Sequence, residues 1–303
     1  MFTVIILFCS VCIIGSVAIS YYMMAHGDGK RLMGVTMTKE GAKHPKTQAV
    51  VRDYKRRLKR FLLLMAALHI PLLPFINWYT SVFIALYTVW CLCLFLGARQ
   101  LFHKGFLAVY QLKQEYGWTS GGASGMADDD EYRLRGYYCN PNDPRLLISS
   151  PGGMNWELNL GRPAGRVLLC LSRGGLAVLM TVLIAFFAAM DFIPFGMEVD
   201  QTQVRITAPV YGTSIPVDEI LSVGLSDELP VYLYTRTNGA ATDQYDLGHF
   251  RQKDGTKVLM YYYKDHSPVI RIDLEDRLIL FNTKNPEKTK ALYEELVTVQ
   301  THR

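Results

Sequence analysis

The sequence predicts an α+β membrane protein: about four transmembrane helices, then a C-terminal antiparallel β domain of roughly a hundred residues capped by one helix. Three observations predict it. Half of the 303 residues are hydrophobic and only 19% are charged, against about a quarter in a soluble domain. The average hides a partition, because nearly all the apolar excess precedes Phe195, while most acidic residues follow Gly196 or sit in the run Asp128–Glu131. Beyond Met197 the apolar residues recur with a period of two, the signature of half-buried strands. The net charge of +5 does not point to nucleic acid, since its largest cluster borders the first apolar run, where membrane topology accounts for it.

A span needs about 20 apolar residues to cross roughly 30 Å of hydrocarbon. Residues 2–25 qualify without a charge, and the absence of a basic stretch before Phe2 favours a span over a cleaved leader. Residues 61–76 and 80–98 follow as a helical hairpin around Asn77-Trp78-Tyr79, with Pro71 and Pro74 expected to kink or end the first arm. The fourth span is 174–195. Eleven Lys or Arg between residues 26 and 60 place that loop in the cytoplasm, which puts 99–166 inside and the C-terminal domain outside the cell membrane. Residues 45–60 read as a short basic helix leading into the second span.

Segment 117–166 differs in kind. Its glycine-rich start, 117–125, is a linker by composition, and Asp128–Glu131 reads as a solvated acidic run. Two X-Pro steps in Tyr137–Arg145 impose turns, and Met154–Leu160 alternates like a strand. Two or three such short strands are too few for a core of their own, so this element is expected to pack against the membrane or a partner.

Strands are predicted at 204–208, 211–215, 223–225, 231–235, 246–251, 257–263, 269–273 and 278–281, with a helical turn at Pro216–Leu221. Asn238-Gly239 and Asp254-Gly255 are turn signals, the second a hairpin. Asn285 and Pro286 have the chemistry of an N-cap and first helical residue for an amphipathic helix over 289–297. Short strands closed by one helix are the pleckstrin-homology (PH)-like order. The organisation is thus 1–100, three transmembrane helices with a basic cytoplasmic loop; 101–166, a cytoplasmic linker and strand-containing element; 167–196, the fourth helix; and 197–303, the PH-like domain.

Several motifs carry a family resemblance: Ile215-Pro-x-x-Glu-Ile220, Asp227-Glu-Leu-Pro230, Arg236-Thr-Asn-Gly239, Leu247-Gly-His-Phe250 and Phe281-Asn-x-x-x-Pro286. They resemble multi-pass membrane proteins of Gram-positive bacteria that end in a bacterial PH-like domain. Tyr137–Arg145 with Trp156–Pro163 is similar to that family's domain of unknown function, and Gly34-Val35, His44-Pro45 and Tyr54–Arg57 are similar to its first loop. At Met37-Thr38 the chain departs from that loop, where a proline is expected. The resemblance implies a membrane setting and a PH-like fold but no reaction, cofactor or ligand. The four-span layout is also similar to bacterial immunity-type membrane proteins.

No catalytic, cofactor-binding or metal-ligating residue is assigned. Cys9-x-x-Cys12 lies in an apolar run without His or carboxylate nearby, and five of the six cysteines lie in or beside apolar segments, where Cys acts as a small hydrophobe. His69 and Asp191 are the ionisable residues at membrane depth; His69 reads as alone on its helix and Asp191 as within a turn of water. His249 and Asp246 with Ser222 or Ser226 make a weak triad, lacking any nucleophile elbow. Gly239, Gly248 and His249 read as turn and packing residues, and Arg251, Lys253 and Lys257 as a basic turn. The expected function is therefore non-enzymatic: binding, sensing or immunity through the PH-like domain, with a protein or peptide partner, the lipid bilayer and a homo-oligomer as contacts, and no cofactor. The alternatives are a transporter or channel component and a lipid-headgroup-binding scaffold.

Overall fold

The computed structural model describes residues 2–26, 31–118, 128–150, 156–227 and 234–301. The linker beyond Trp118, Met154-Asn155, residues 228–230 of the Asp227–Pro230 motif and the first residues of the strand expected at 231–235 lie outside the described residues. The chain divides into two compact units, Met1–Leu73 with Phe83–Leu183, and Pro74–Val82 with Ile184–Arg303.

In the first unit, α1 (Phe2–His26) leads to a two-stranded hairpin, β1 (Arg31–Leu32) and β2 (Val35–Thr36), and to a short helix, α2 (Lys39–Lys43). Helix α3 (Pro45–His69) follows; Pro45 occupies its first turn, where a missing N–H costs nothing. Pro71 and Pro74 end it as expected, giving a 3-10 turn at Ile70–Leu72 and then α4 (Phe75–Trp78), which belongs to the second unit. Helix α5 (Thr80–Tyr116) runs 37 residues, well past the boundary expected at 98. Strands β3 (Leu147–Ser149) and β4 (Trp156–Leu158) pair, and α6 (Pro163–Phe192) is the last long helix. The basic segment 45–60 is no separate helix; it is continuous with the second span, because a change from polar to apolar side chains does not break the backbone ladder.

Four helical segments among the described residues are long and apolar enough to cross a membrane: Thr3–His26, Pro45–Trp78, Thr80–Tyr116 and Pro163–Phe192. Their packing supports that role. In the span window of α6 no residue is buried, and Leu171, Val178, Leu179 and Val182 lie open along it. An apolar surface of that extent in water would be an aggregation site, whereas in hydrocarbon it is solvated.

The unit's core packs Val17 and Ala25 against Val51, Tyr54 and Leu58, and Leu94, Ala98, Phe102 and Val109 from α5. Beside it lies a buried ionic cluster that corrects the reading of Asp128–Glu131 as a solvated run. Lys113 and Asp130 are each 1% exposed and bonded at 2.7 Å. Lys113 also holds Asp128, and Asp130 accepts from the Thr36 amide and hydroxyl at 2.9–3.1 Å. Arg31 reaches Asp129 at 3.1 Å, and Arg133 pairs with Asp129 and Glu157. A buried charge is tolerated when it is paired, and each of these is: Lys113 and Asp130 are hydrogen-bonded as well, whereas Arg133 and Glu157 are held by their ion pair. The start of the element at 128–158 is therefore fastened to the hairpin through Arg31 and Thr36 and to α5 through Lys113, all within its own chain. The two turns expected at the X-Pro steps form, as Asx turns at Asn140 and Asp143, and Asn159, fully buried, ties them together through the Asn140 and Asp143 carbonyls.

The second unit holds a three-stranded sheet, β5 (Gly196–Val199), β6 (Gln203–Thr207) and β7 (Thr213–Pro216), then a 3-10 turn at Val217–Glu219. A six-stranded sheet follows, comprising β8 (Ser222–Ser226), β9 (Tyr234–Ala241), β10 (Tyr245–Gln252), β11 (Lys257–Tyr263), β12 (Val269–Asp273) and β13 (Arg277–Phe281). Its spatial order is β8-β12-β13-β11-β10-β9, antiparallel except where β11 and β13 run parallel. Helix α7 (Pro286–Thr301) ends the unit, and Asn285 caps it by accepting from the Glu287 amide at 3.0 Å.

Strand alternation divides the side chains into two buried sets. Leu259, Tyr261 and Tyr263 of β11, with Ile279 and Phe281 of β13, face the main core with Val204, Ile206, Ile215, Leu292 and Leu296. Val258, Met260, Leu278 and Leu280 face the other way, with Phe250 and Val269. Central strands buried on both faces must be apolar at every position, which explains the near-continuous runs in β11 and β13. The Asp254-Gly255 hairpin forms as expected, with Gly255 at φ 96°. Asn238-Gly239 is not a turn; it lies inside β9, where Gly239 faces Gly248 of β10.

Candidate functional site

The six-stranded sheet of the second unit has two outer strands, β8 and β9, and they differ. On β9, the register shifts between His249 and Phe250, so Thr237 is an extra residue whose hydroxyl donates to the His249 carbonyl at 3.0 Å. Such a bulge twists an edge away from further pairing. Beside it, Gly248 at φ 107° is covered by the Tyr211 ring, and a Cβ there would meet the Asn238 carbonyl at 2.7 Å and the Gly239 Cα at 2.8 Å. Gly239 and Gly248 thus let two strands and an aromatic ring approach closely, and the sequence reading of them as packing residues survives for that reason, while the turn reading of Gly239 does not. The bulge makes the β9 edge a poorer template for an added strand.

The opposite edge carries no bulge. Strand β8 pairs in unbroken register with β12, from Ser222↔Asp273 to Ser226↔Val269. Among the described residues no strand lies on its outer side. Leu221 is 65% exposed and Leu225 38%, on the same side as Val223, which packs on the core. The Gln300 side chain of α7 donates to the Leu221 carbonyl at 3.4 Å, which places the helix end beside this edge. The arrangement is a strand edge with apolar side chains at alternate positions, flanked by a helix, the form that accepts an added strand. Val223–Leu225 was legible as a strand; its place at the edge was not, because β12 and β13, 44 to 59 residues later, decide it.

The weak triad does not assemble. Ser222 and Ser226 lie on β8, whereas Asp246 and His249 lie on β10, four strand steps or roughly 19 Å across the sheet. Ser222 donates to Asp273 at 2.7 Å, Asp246 pairs with Lys264 at 3.2 Å, and His249 stands edge-on to Tyr211. Burial lifts the Asp246 carboxyl above its ordinary range, and Lys264 offsets part of that rise. Arg251 and Lys257 face each other at the tip of the β10–β11 hairpin, with Lys253 exposed in the turn. Among the described residues no three His, Cys, Asp or Glu side chains come together as a metal-binding set.

The two membrane-depth residues find partners that the sequence did not show. His69 is not isolated: its Nε2 lies 2.9 Å from Ser10 Oγ, and Tyr87 OH lies 3.0 Å from the same atom. Ser10 donates its one hydroxyl proton to the Ile6 carbonyl at 2.8 Å, so its lone pairs accept from Tyr87 and from an Nε2-protonated His69. Three helices are joined at that oxygen, beneath the Trp90 ring. Asp191 does not simply face water; it accepts from the Ser81 amide at 2.7 Å near the start of α5 and from Tyr245 OH at 3.4 Å.

Comparison with the curated proteins and with the solved structures returns no match. The model of one family, described as a bacterial PH domain, matches residues 195–297. That span begins just after α6 and ends inside α7, so it takes in the strands of both sheets described above. The chain therefore carries four candidate membrane helices followed by a C-terminal bacterial PH domain.

Proposed function

We propose that this chain is a non-enzymatic integral protein of the cell membrane that captures an extended segment of a partner protein along the outer edge of β8. The observation that supports the reading is the unbulged β8 edge with Leu221 and Leu225 exposed on one side of it. Main-chain hydrogen bonds to Ser222–Leu225 supply affinity for any extended segment, and the two leucines select apolar side chains at alternate positions. Sensing or immunity at the envelope fits such capture if the PH domain faces outward, the orientation favoured by the basic residues of α2 and α3.

The test is site-specific photo-crosslinking of the full chain in its membrane. A photoreactive phenylalanine analogue at position 221 or 225 is expected to give a discrete protein adduct, and the same residue at Arg236 on β9 none. Leu225→Asp should abolish the adduct formed from position 221. Equal adducts from both edges, or none from β8, would refute edge capture. Phosphatase fused after Arg303 should be active outside the cell; an inactive fusion would overturn the orientation.

A further inference from the structure

Helices α1 and α3 leave a groove of about 850 Å³ between them in the first unit. Its walls are Ile14, Ala18 and Ile19 from α1 and Leu62, Leu63 and Ala66 from α3. Its rim is Lys55, Arg56 and Lys59, and no lining residue is acidic. Lys55 is positioned there by the Tyr22 ring at 4.6 Å and by His26 Nδ1 at 3.3 Å. The neighbouring acid on α3, Asp53, is engaged elsewhere, by Arg57 at 2.7 Å.

The position of the cations along α3 gives the groove its meaning. The last of them, Lys59, lies two residues before Phe61, where the apolar stretch of the second span begins, so they lie at the level of the headgroups. Ala66 is seven residues beyond Lys59, roughly 10 Å deeper along the helix at 1.5 Å per residue. A slot that is apolar within the hydrocarbon and triply cationic at its mouth complements one kind of molecule, an amphiphile with an anionic head.

We propose that this groove binds an anionic glycerophospholipid of the surrounding bilayer. Its phosphate sits among Lys55, Arg56 and Lys59, and one acyl chain lies between Ala18 and Ala66. The proposal is independent of the β8 edge, which lies in the other unit.

The full chain, reconstituted in phosphatidylcholine bilayers with increasing phosphatidylglycerol, is examined by native mass spectrometry for retained lipid. One phosphatidylglycerol is expected to stay bound in preference to phosphatidylcholine. Replacing Lys55, Arg56 and Lys59 by Gln should reduce that preference by on the order of a hundredfold, about fivefold for each cation near the surface. Replacing Lys39, Lys43 and Lys46 by Gln removes as much charge and should leave the preference intact. Ala66→Phe, which fills the slot and keeps every cation, should also expel the lipid. Equal losses in the two charge variants would reduce the effect to general attraction and overturn the site, as would full retention in Ala66→Phe.

Discussion

Lys113→Met isolates the buried ionic cluster. In the parent, Lys113 reaches both Asp128 and Asp130 at 2.7 Å. Asp128 is 39% exposed at its side chain and regains water when the lysine is lost; Asp130, 1% exposed, does not. Stranding one partner of a buried pair costs about 3–5 kcal/mol. Asp130 keeps the Thr36 amide and hydroxyl, which argues for the lower end, about 3 kcal/mol. A unit of this size loses about 2–4 °C per kcal/mol, so Tm should fall by roughly 6–12 °C. Tryptophan fluorescence of the purified, reconstituted chain on heating measures it. Lys113→Met/Asp130→Asn removes the stranded charge and should recover most of the loss. The pH dependence separates charge from lost packing. Burial already holds the Asp130 carboxyl above its ordinary value of 3.8, and removing Lys113 raises it further. A carboxyl whose folded pKa is raised favours the folded state at low pH and loses that advantage as pH rises through the folded value. The deficit of Lys113→Met should therefore be small near pH 4 and widen toward neutrality. A deficit independent of pH, or a double variant no better than the single, would refute the electrostatic argument.

Two further outcomes test other parts of the fold. Gly239→Ala places a Cβ against the Leu247 carbonyl in a backbone at φ 157°, and should cost the PH domain about 1–3 kcal/mol, read as an earlier loss of near-ultraviolet circular dichroism. Gly255→Ala, which meets no neighbouring atom, is the control for positive φ alone. His69→Leu removes one of the bonds to Ser10 and should lower thermal stability by about 0.6–1.7 kcal/mol while creating or abolishing no solute flux in vesicles. Flux in the parent that vanishes in His69→Leu would instead make the Ser10–His69–Tyr87 cluster part of a transport path.

What the sequence disclosed was local. The apolar runs, the Pro71 and Pro74 break, the Asp254-Gly255 hairpin and the Asn285-Pro286 cap each depend on residues within a few positions, and each is found. What it concealed depends on distant partners. Asp130 is buried because of Thr36, 94 residues earlier, and Lys113, 17 earlier, and a run of four acids gives no sign of either. Asn238-Gly239 has turn chemistry, yet it serves a strand because Gly248 must lie opposite. Helices α3, α5 and α6 outrun the expected spans because hydropathy marks where hydrocarbon ends, not where a helix does. The candidate β8 edge was invisible for the same reason: the position of a strand within a sheet is a property of the whole domain.

All six cysteines are free thiols between Cys9 and Cys170, and the PH domain at 195–297 contains none. Its cohesion rests on two apolar clusters and a helix cap, so no step of its folding waits on sulfur oxidation. A reducing cytosol and an oxidising exterior are thus equivalent media for it. The same domain can serve on either face of a bilayer without redesign, and a single cysteine introduced at its surface gives a labelling site that no native thiol of the domain competes for.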